Sequence, residues 1–152
     1  MALRPGDPAP DFTLPDTHGT PVHLADVLTD GPVLVVFYPF AFSGICTGEL
    51  CELRDNIEEF ETAGVRLLAV STDPVYALKA WQQQEGFGFD LLSDFWPHGD
   101  VARAYGVLDE ERGHALRGSY LIDADGVVRW AVVNPRGQRR DLEAYRAALA
   151  EI

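Results

Sequence analysis

Apolar and polar positions change period several times along the chain, and each change marks an element. Residues 33 to 38, VLVVFY, are apolar without interruption. A run of that length, rich in β-branched and aromatic side chains, predicts a strand buried on both faces at the centre of a sheet. Pro39 ends it. Around the segment from Cys46 to Glu61, residues Ile45, Leu50, Leu53, Ile57 and Phe60 recur at steps near three and four. That spacing predicts one amphipathic helix, closed by Gly64. VRLLAVS (65 to 71) repeats the strand pattern, and Asp73-Pro74 then reads as N-cap and first residue of a helix reaching about Gly86. FDLLSD predicts a short strand and DVARAY a short helix ending before Gly106.

SYLID (119 to 123) and VVRWAVV (127 to 133) flank Ala124-Asp125-Gly126, which predicts an antiparallel hairpin. DLEAYRAALAE (141 to 151) gives the last amphipathic helix. Proline and glycine punctuate the first 32 residues, so DFTL and PVHL make at most short strands in a hairpin-like lead-in. Two βα units, a hairpin and a terminal helix predict an α/β fold, a mixed central β-sheet flanked by helices on both faces. There is no internal repeat or linker, so residues 1 to 152 read as a single domain.

Charge narrows the choice of partners. Twenty-four acidic residues against twelve basic ones give a formal charge of −12, which argues against nucleic acid and anionic membrane. The opening MALRPGDPAPDF lacks a charged region followed by an apolar core, and no apolar run reaches the length of a membrane span. The expectation is a cytoplasmic protein. His18, His23, His98 and His114 are scattered and form no ligand pattern with the thiols, so neither metal nor other cofactor is expected. Each histidine reads as a surface or turn residue. Tyr76 and Trp81 read as packing their helix against the sheet, and Trp96 as either interface or core.

The chemistry lies in FYPFAFSGICTGELC, residues 37 to 51, which holds both cysteines of the chain. A thiol reacts as thiolate, and an unperturbed one is only about 3% ionised at neutral pH. Cys46 falls in the first turn of a helix that follows the central strand, with Ser43 as N-cap, where unpaired N–H groups and the positive dipole end favour an anion. A helix end supplies only about 1 kcal/mol, so a cation is wanted as well. Arg117, beside the late strand, is the leading candidate. Arg54, eight residues along the helix, is too far from the first turn.

Pro39-x-x-x-Ser43-x-x-Cys46 after a buried strand, Glu49 one turn on, and Arg117-Gly118-Ser119-Tyr120 leading into a late strand resemble the peroxiredoxins. PGDPAPDFTLPDTHGTPVHL is similar to that family's lead-in, and LLSDFWPHGDVARAYGV to its one-cysteine alkyl hydroperoxide reductase E branch. The resemblance implies a thioredoxin-like fold and a thiol-dependent peroxidase acting on hydrogen peroxide, organic hydroperoxides or peroxynitrite. It implies that Cys46 is the peroxidatic residue, that Ser43, Arg117 and backbone N–H groups stabilise charge on the peroxide oxygens, that Pro39 shields the sulfur, and that Glu49 orients the arginine. It also implies a homodimer and a thioredoxin-like, glutaredoxin-like or mycoredoxin-like reductant. The family more often has Thr at the position of Ser43; serine keeps the hydroxyl and loses the β-branch that stiffens it. GGLG and a C-terminal Tyr-Phe, which favour overoxidation in relatives, are absent from the sequence.

Cys51 resembles instead the resolving thiol of the Q-type, bacterioferritin-comigratory branch. Five helical steps separate the two Cα atoms by about 9 Å, and a disulfide wants less than about 7 Å. Resolution therefore requires the turns around Thr47-Gly48 to unwind, and that pair forms helix poorly. Two readings stay open: Cys51 resolves Cys46 as an intramolecular disulfide, or it is an inert small residue and an external thiol does so. Readings of another class fare worse. A thiol-disulfide oxidoreductase would place Cys-x-x-Cys at the helix start, and a non-enzymatic binding or chaperone-like protein has no use for a cysteine beside a hydroxyl and an arginine.

Overall fold

The computed structural model describes residues 3 to 152. The lead-in is a two-stranded hairpin, β1 (Thr13–Pro15) and β2 (Pro21–His23), followed by the short helix α1 (Leu24–Leu28). β3 (Val33–Phe37) is the buried run, and α2 (Gly44–Asp55) and α3 (Ile57–Thr62) follow it. β4 (Arg66–Ser71), α4 (Val75–Glu85), β5 (Asp90–Ser93) and α5 (Asp100–Ala104) form the second unit. A small hairpin of β6 (Leu108–Asp109) and β7 (His114–Ala115), not anticipated from the pattern, leads to β8 (Arg117–Ile122), β9 (Val128–Asn134) and α6 (Leu142–Leu149).

The main sheet has the order β5-β4-β3-β8-β9. β3, β4 and β5 are parallel, and β8 and β9 are antiparallel. β3 lies in the middle, as its unbroken apolar run requires. Its alternate residues enter two cores: Val33, Val35 and Phe37 face α1, α5 and the lead-in, while Leu34, Val36 and Tyr38 face α2, α3, α4 and α6. Helices thus cover both faces of a mixed sheet, as predicted.

Four local expectations need correction. The predicted single helix breaks at Asn56, whose φ of −121° and ψ of 19° leave helical space. Its side-chain amide donates back to the Glu52 carbonyl at 2.8 Å. Asp73 does not cap α4; Pro74 occupies that position, and the Asp73 carboxylate instead accepts from Ala41 N–H and from the Ser71 hydroxyl, each at 2.8 Å. Tyr76 does not pack against the sheet but stands 87% exposed, and Ile45, assigned to the apolar stripe, is 40% exposed. Trp81 is fully buried, as expected, and Trp96 is exposed.

Among the described residues no helix is long and apolar enough to cross a membrane.

Candidate active site

The end of β3 and the start of α2 form the frame. The Tyr38 amide still donates to Val70 of β4, and the chain then leaves the sheet through Pro39 and Phe40. Phe42 takes a φ of 69°, uncommon for a bulky residue, which turns the chain into the helix. The Asp73 carboxylate on the Ala41 amide holds this loop to the adjoining strand's end.

Ser43 caps α2: its hydroxyl oxygen accepts from the Cys46 amide at 3.4 Å, and its carbonyl accepts from Thr47 at 2.8 Å. The hydroxyl hydrogen remains free to donate elsewhere. Cys46 is 0% exposed, so whatever stabilises a charge there does so away from bulk water.

Arg117 opens β8 and crosses to the sulfur. Its Nη1 lies 3.3 Å from Cys46 Sγ and 2.5 Å from Glu49 Oε1, and its Nε donates to the Arg136 carbonyl at 2.7 Å. The glycine after it allows a close approach, because a Cβ on Gly118 would stand 2.8 Å from Val107 Cγ1. Cys46, Ser43, Arg117 and Glu49, chosen from sequence, therefore come together. Pro39 lines a cavity of about 390 Å³ with Phe40, Ser43, Gly44, Ile45, Arg117, Arg136 and Gly137, so the two residues that touch Cys46 also face the opening.

A second arginine was not foreseen. Arg140, 3% exposed, donates to both oxygens of Glu49 from Nε at 3.0 Å and Nη2 at 2.9 Å, and its backbone N–H adds a third bond at 2.6 Å. Its Nη1 reaches the Phe37 and Gly118 carbonyls at 2.7 and 3.0 Å and the Ser119 hydroxyl at 2.9 Å. It thereby ties β3, β8 and α2 into one unit. Burial alone would raise the Glu49 carboxyl; the Arg140 hydrogen bonds and charge, with Arg117 behind them, outweigh it and hold the group below its ordinary range. One buried carboxylate between two buried guanidinium groups leaves one positive charge uncompensated, and a thiolate at Cys46 would balance it.

Cys51 lies farther along the intact helix, half-buried, and both cysteines are free thiols. It donates to Glu85 Oε1 at 3.4 Å. Of the histidines, His114 overturns expectation: it is 1% exposed, its Nδ1 bonded to the Ala115 carbonyl at 2.8 Å and its ring 4.9 Å from that of Phe40. No cluster of metal-ligating side chains exists among the described residues.

A thiol at a helix start, facing a buried guanidinium, is an arrangement for nucleophilic chemistry at sulfur, and the comparisons agree. The family model for the AhpC/TSA family matches residues 5 to 131. The chain belongs to that family. Alkyl hydroperoxide reductase E of Mycobacterium tuberculosis is 46% identical over 150 residues, covering 99% of this chain and 98% of the relative. Peroxiredoxin Bcp of Escherichia coli is 42% identical over 132 residues, 83% of each. The crystal structure of peroxidoxin BcpB from Mycobacterium tuberculosis superposes with a TM-score of 0.87 at 35% identity, covering 98% of this chain and 96% of that one. AhpC/TSA membership brings with it the thioredoxin-like fold and the function of a thiol-dependent peroxidase.

Proposed function

We propose that Cys46 is the peroxidatic residue and that a hydroperoxide enters by the cavity beside Pro39. The reading rests above all on the Arg117 guanidinium 3.3 Å from a fully buried sulfur at a capped helix start. In this mechanism the Cys46 thiolate attacks the terminal peroxide oxygen, the O–O bond breaks, and the other oxygen leaves as alkoxide or hydroxide and takes up a proton. Arg117 and the Ser43 hydroxyl donate to the two oxygens as charge moves between them. Glu49 holds Arg117 in place, and Pro39 and Phe40 keep water from the sulfur. Hydrogen peroxide, organic hydroperoxides and peroxynitrite all present the required bond.

The sulfenic acid left on Cys46 is then resolved by Cys51 as an intramolecular disulfide, which a thioredoxin-like, glutaredoxin-like or mycoredoxin-like protein reduces. Glu49 stands between the two thiols in sequence, bound to Arg117 and Arg140. Unwinding the turn that brings the sulfurs together therefore dismantles the Cys46 site at the same time. The Cys51 to Glu85 hydrogen bond favours a second reading, in which Cys51 stays packed and inert and an external thiol resolves Cys46. Mass spectrometry after one equivalent of peroxide separates the two: a loss of about two hydrogens is expected for the disulfide, a gain of one oxygen supports the second reading, and no change sinks both.

The chain is read as one cytoplasmic domain acting as a homodimer. Exposed Tyr76, Phe95 and Trp96 support an association surface, and sedimentation at micromolar concentration tests it; a monomer would refute it.

A further inference from the structure

One residue at the end of α4 hydrogen-bonds the second half of α2. Glu85, the last residue of α4, accepts from the Cys51 thiol on Oε1 at 3.4 Å and from Arg54 Nη1 on its backbone carbonyl at 2.5 Å. Gln84 Nε2 donates to the other carboxylate oxygen at 3.0 Å and fixes its orientation. The charged groups facing the thiol are Glu85 from α4 and Arg54 and Asp55 from its own helix. Burial first, and then the Glu85 hydrogen bond, push the Cys51 thiol up, while Arg54 opposes them.

We propose that Glu85 is a positioning residue for the resolving step, a latch that keeps Cys51 on the folded helix as a thiol and so sets how fast the disulfide forms. This rests on the reading of Cys51 as the resolving thiol. For the disulfide to form, the bond to Glu85 must break and Cys51 must lose its proton to solvent. The Cys51 thiolate then attacks the Cys46 sulfenic sulfur, the S–S bond forms, the S–O bond breaks, and hydroxide leaves to become water. Peroxide has already supplied the oxidising equivalent. Cys51 is oxidised and the Cys46 sulfenic acid reduced, with no further reactant. A carboxylate against the thiol opposes both the release and the ionisation.

Two measurements test the latch. With Cys46→Ser, Cys51 is the single thiol of the chain, and its alkylation by iodoacetamide is followed against pH. Glu85→Gln, which keeps size and helix propensity, is expected to move the midpoint down and raise the neutral-pH rate by roughly three- to tenfold. Arg54→Gln is expected to move the midpoint up. With Cys46 present, Glu85→Gln is expected to speed disulfide formation by a similar factor and to leave the first peroxide step unchanged. An unmoved alkylation midpoint, or an unchanged disulfide rate, overturns the latch. If the unaltered protein forms no disulfide while Glu85→Gln still shifts the alkylation midpoint, the resolving role of Cys51 fails and the hold of Glu85 on the thiol stands.

Discussion

Two thiols five residues apart on one helix sit in opposite electrical surroundings. Cys46, fully buried, has a guanidinium at 3.3 Å and its own amide capped by Ser43. Cys51, half-buried, has a carboxylate at 3.4 Å. The helix and the residue type are the same, while burial, place along the helix and the sign of the nearest charged neighbour differ, and a guanidinium favours a thiolate where a carboxylate opposes it. That neighbour comes from a distant part of the chain in both cases, Arg117 on β8 and Glu85 on α4.

The largest expected effect is all-or-none. Cys46→Ser abolishes peroxide consumption, whereas Cys51→Ser keeps the first turnover in a stopped-flow assay; full activity of the former variant would erase the distinction between the thiols. Arg117→Gln comes next, with an expected loss of about 10²- to 10³-fold in the peroxide reaction and no change in Cys51 alkylation. Arg117→Lys, which keeps the charge and loses the fork, should fall between. Equal loss at both cysteines would mean that the substitution acts through folding alone.

Glu49→Gln takes the anion from between two buried arginines and should cost about 3 kcal/mol or more in urea unfolding. The pH dependence of stability separates the two thiol environments further. Glu49 has a folded value below its ordinary 4.5, so its contribution is complete above that value and is lost as pH falls below it. Cys51 is raised above its ordinary 9.0, so its contribution is complete below that value and is lost as pH rises through the folded value. Acid should therefore weaken the Cys46 side and alkali the Cys51 side. Cys51→Ala should remove its own share of the alkaline loss while leaving that of the buried Tyr38, Tyr105, Tyr120 and Tyr145, whose hydroxyls burial also pushes up. At neutral pH that variant is the mildest, about 1 kcal/mol or less.

Much of the Cys46 side was legible in the sequence because its signals are local. An unbroken apolar strand, a proline, and a serine three residues before the cysteine fall within a few turns of chain. Arg117 could be found because it stands in a recognisable segment, RGSY. Arg140 could not: it joins no periodic pattern, and its contacts to Glu49 span 91 residues of sequence. The break at Asn56 was hidden because Ile57 and Phe60 continue the helical spacing across it. Asp73-Pro74 misled for the opposite reason. Its local signal is that of a helix start, but the carboxylate is bound to Ala41, 32 residues away. Local patterns specified the elements and left open which distant charges would meet.

The break at Asn56 bears on how far a disturbance in α2 can travel. Helix formation is cooperative within a continuous segment, and here the segment ends after twelve residues. Beyond it, α3 is a separate six-residue turn anchored by Phe60, which is 1% exposed. Melting that starts at Gly44 thus meets a boundary before it reaches the remainder of that helical layer. For the unwinding that resolution by Cys51 requires, Asn56 would act as a firebreak, letting the chain around the two sulfurs come apart and re-form without putting the fold at risk.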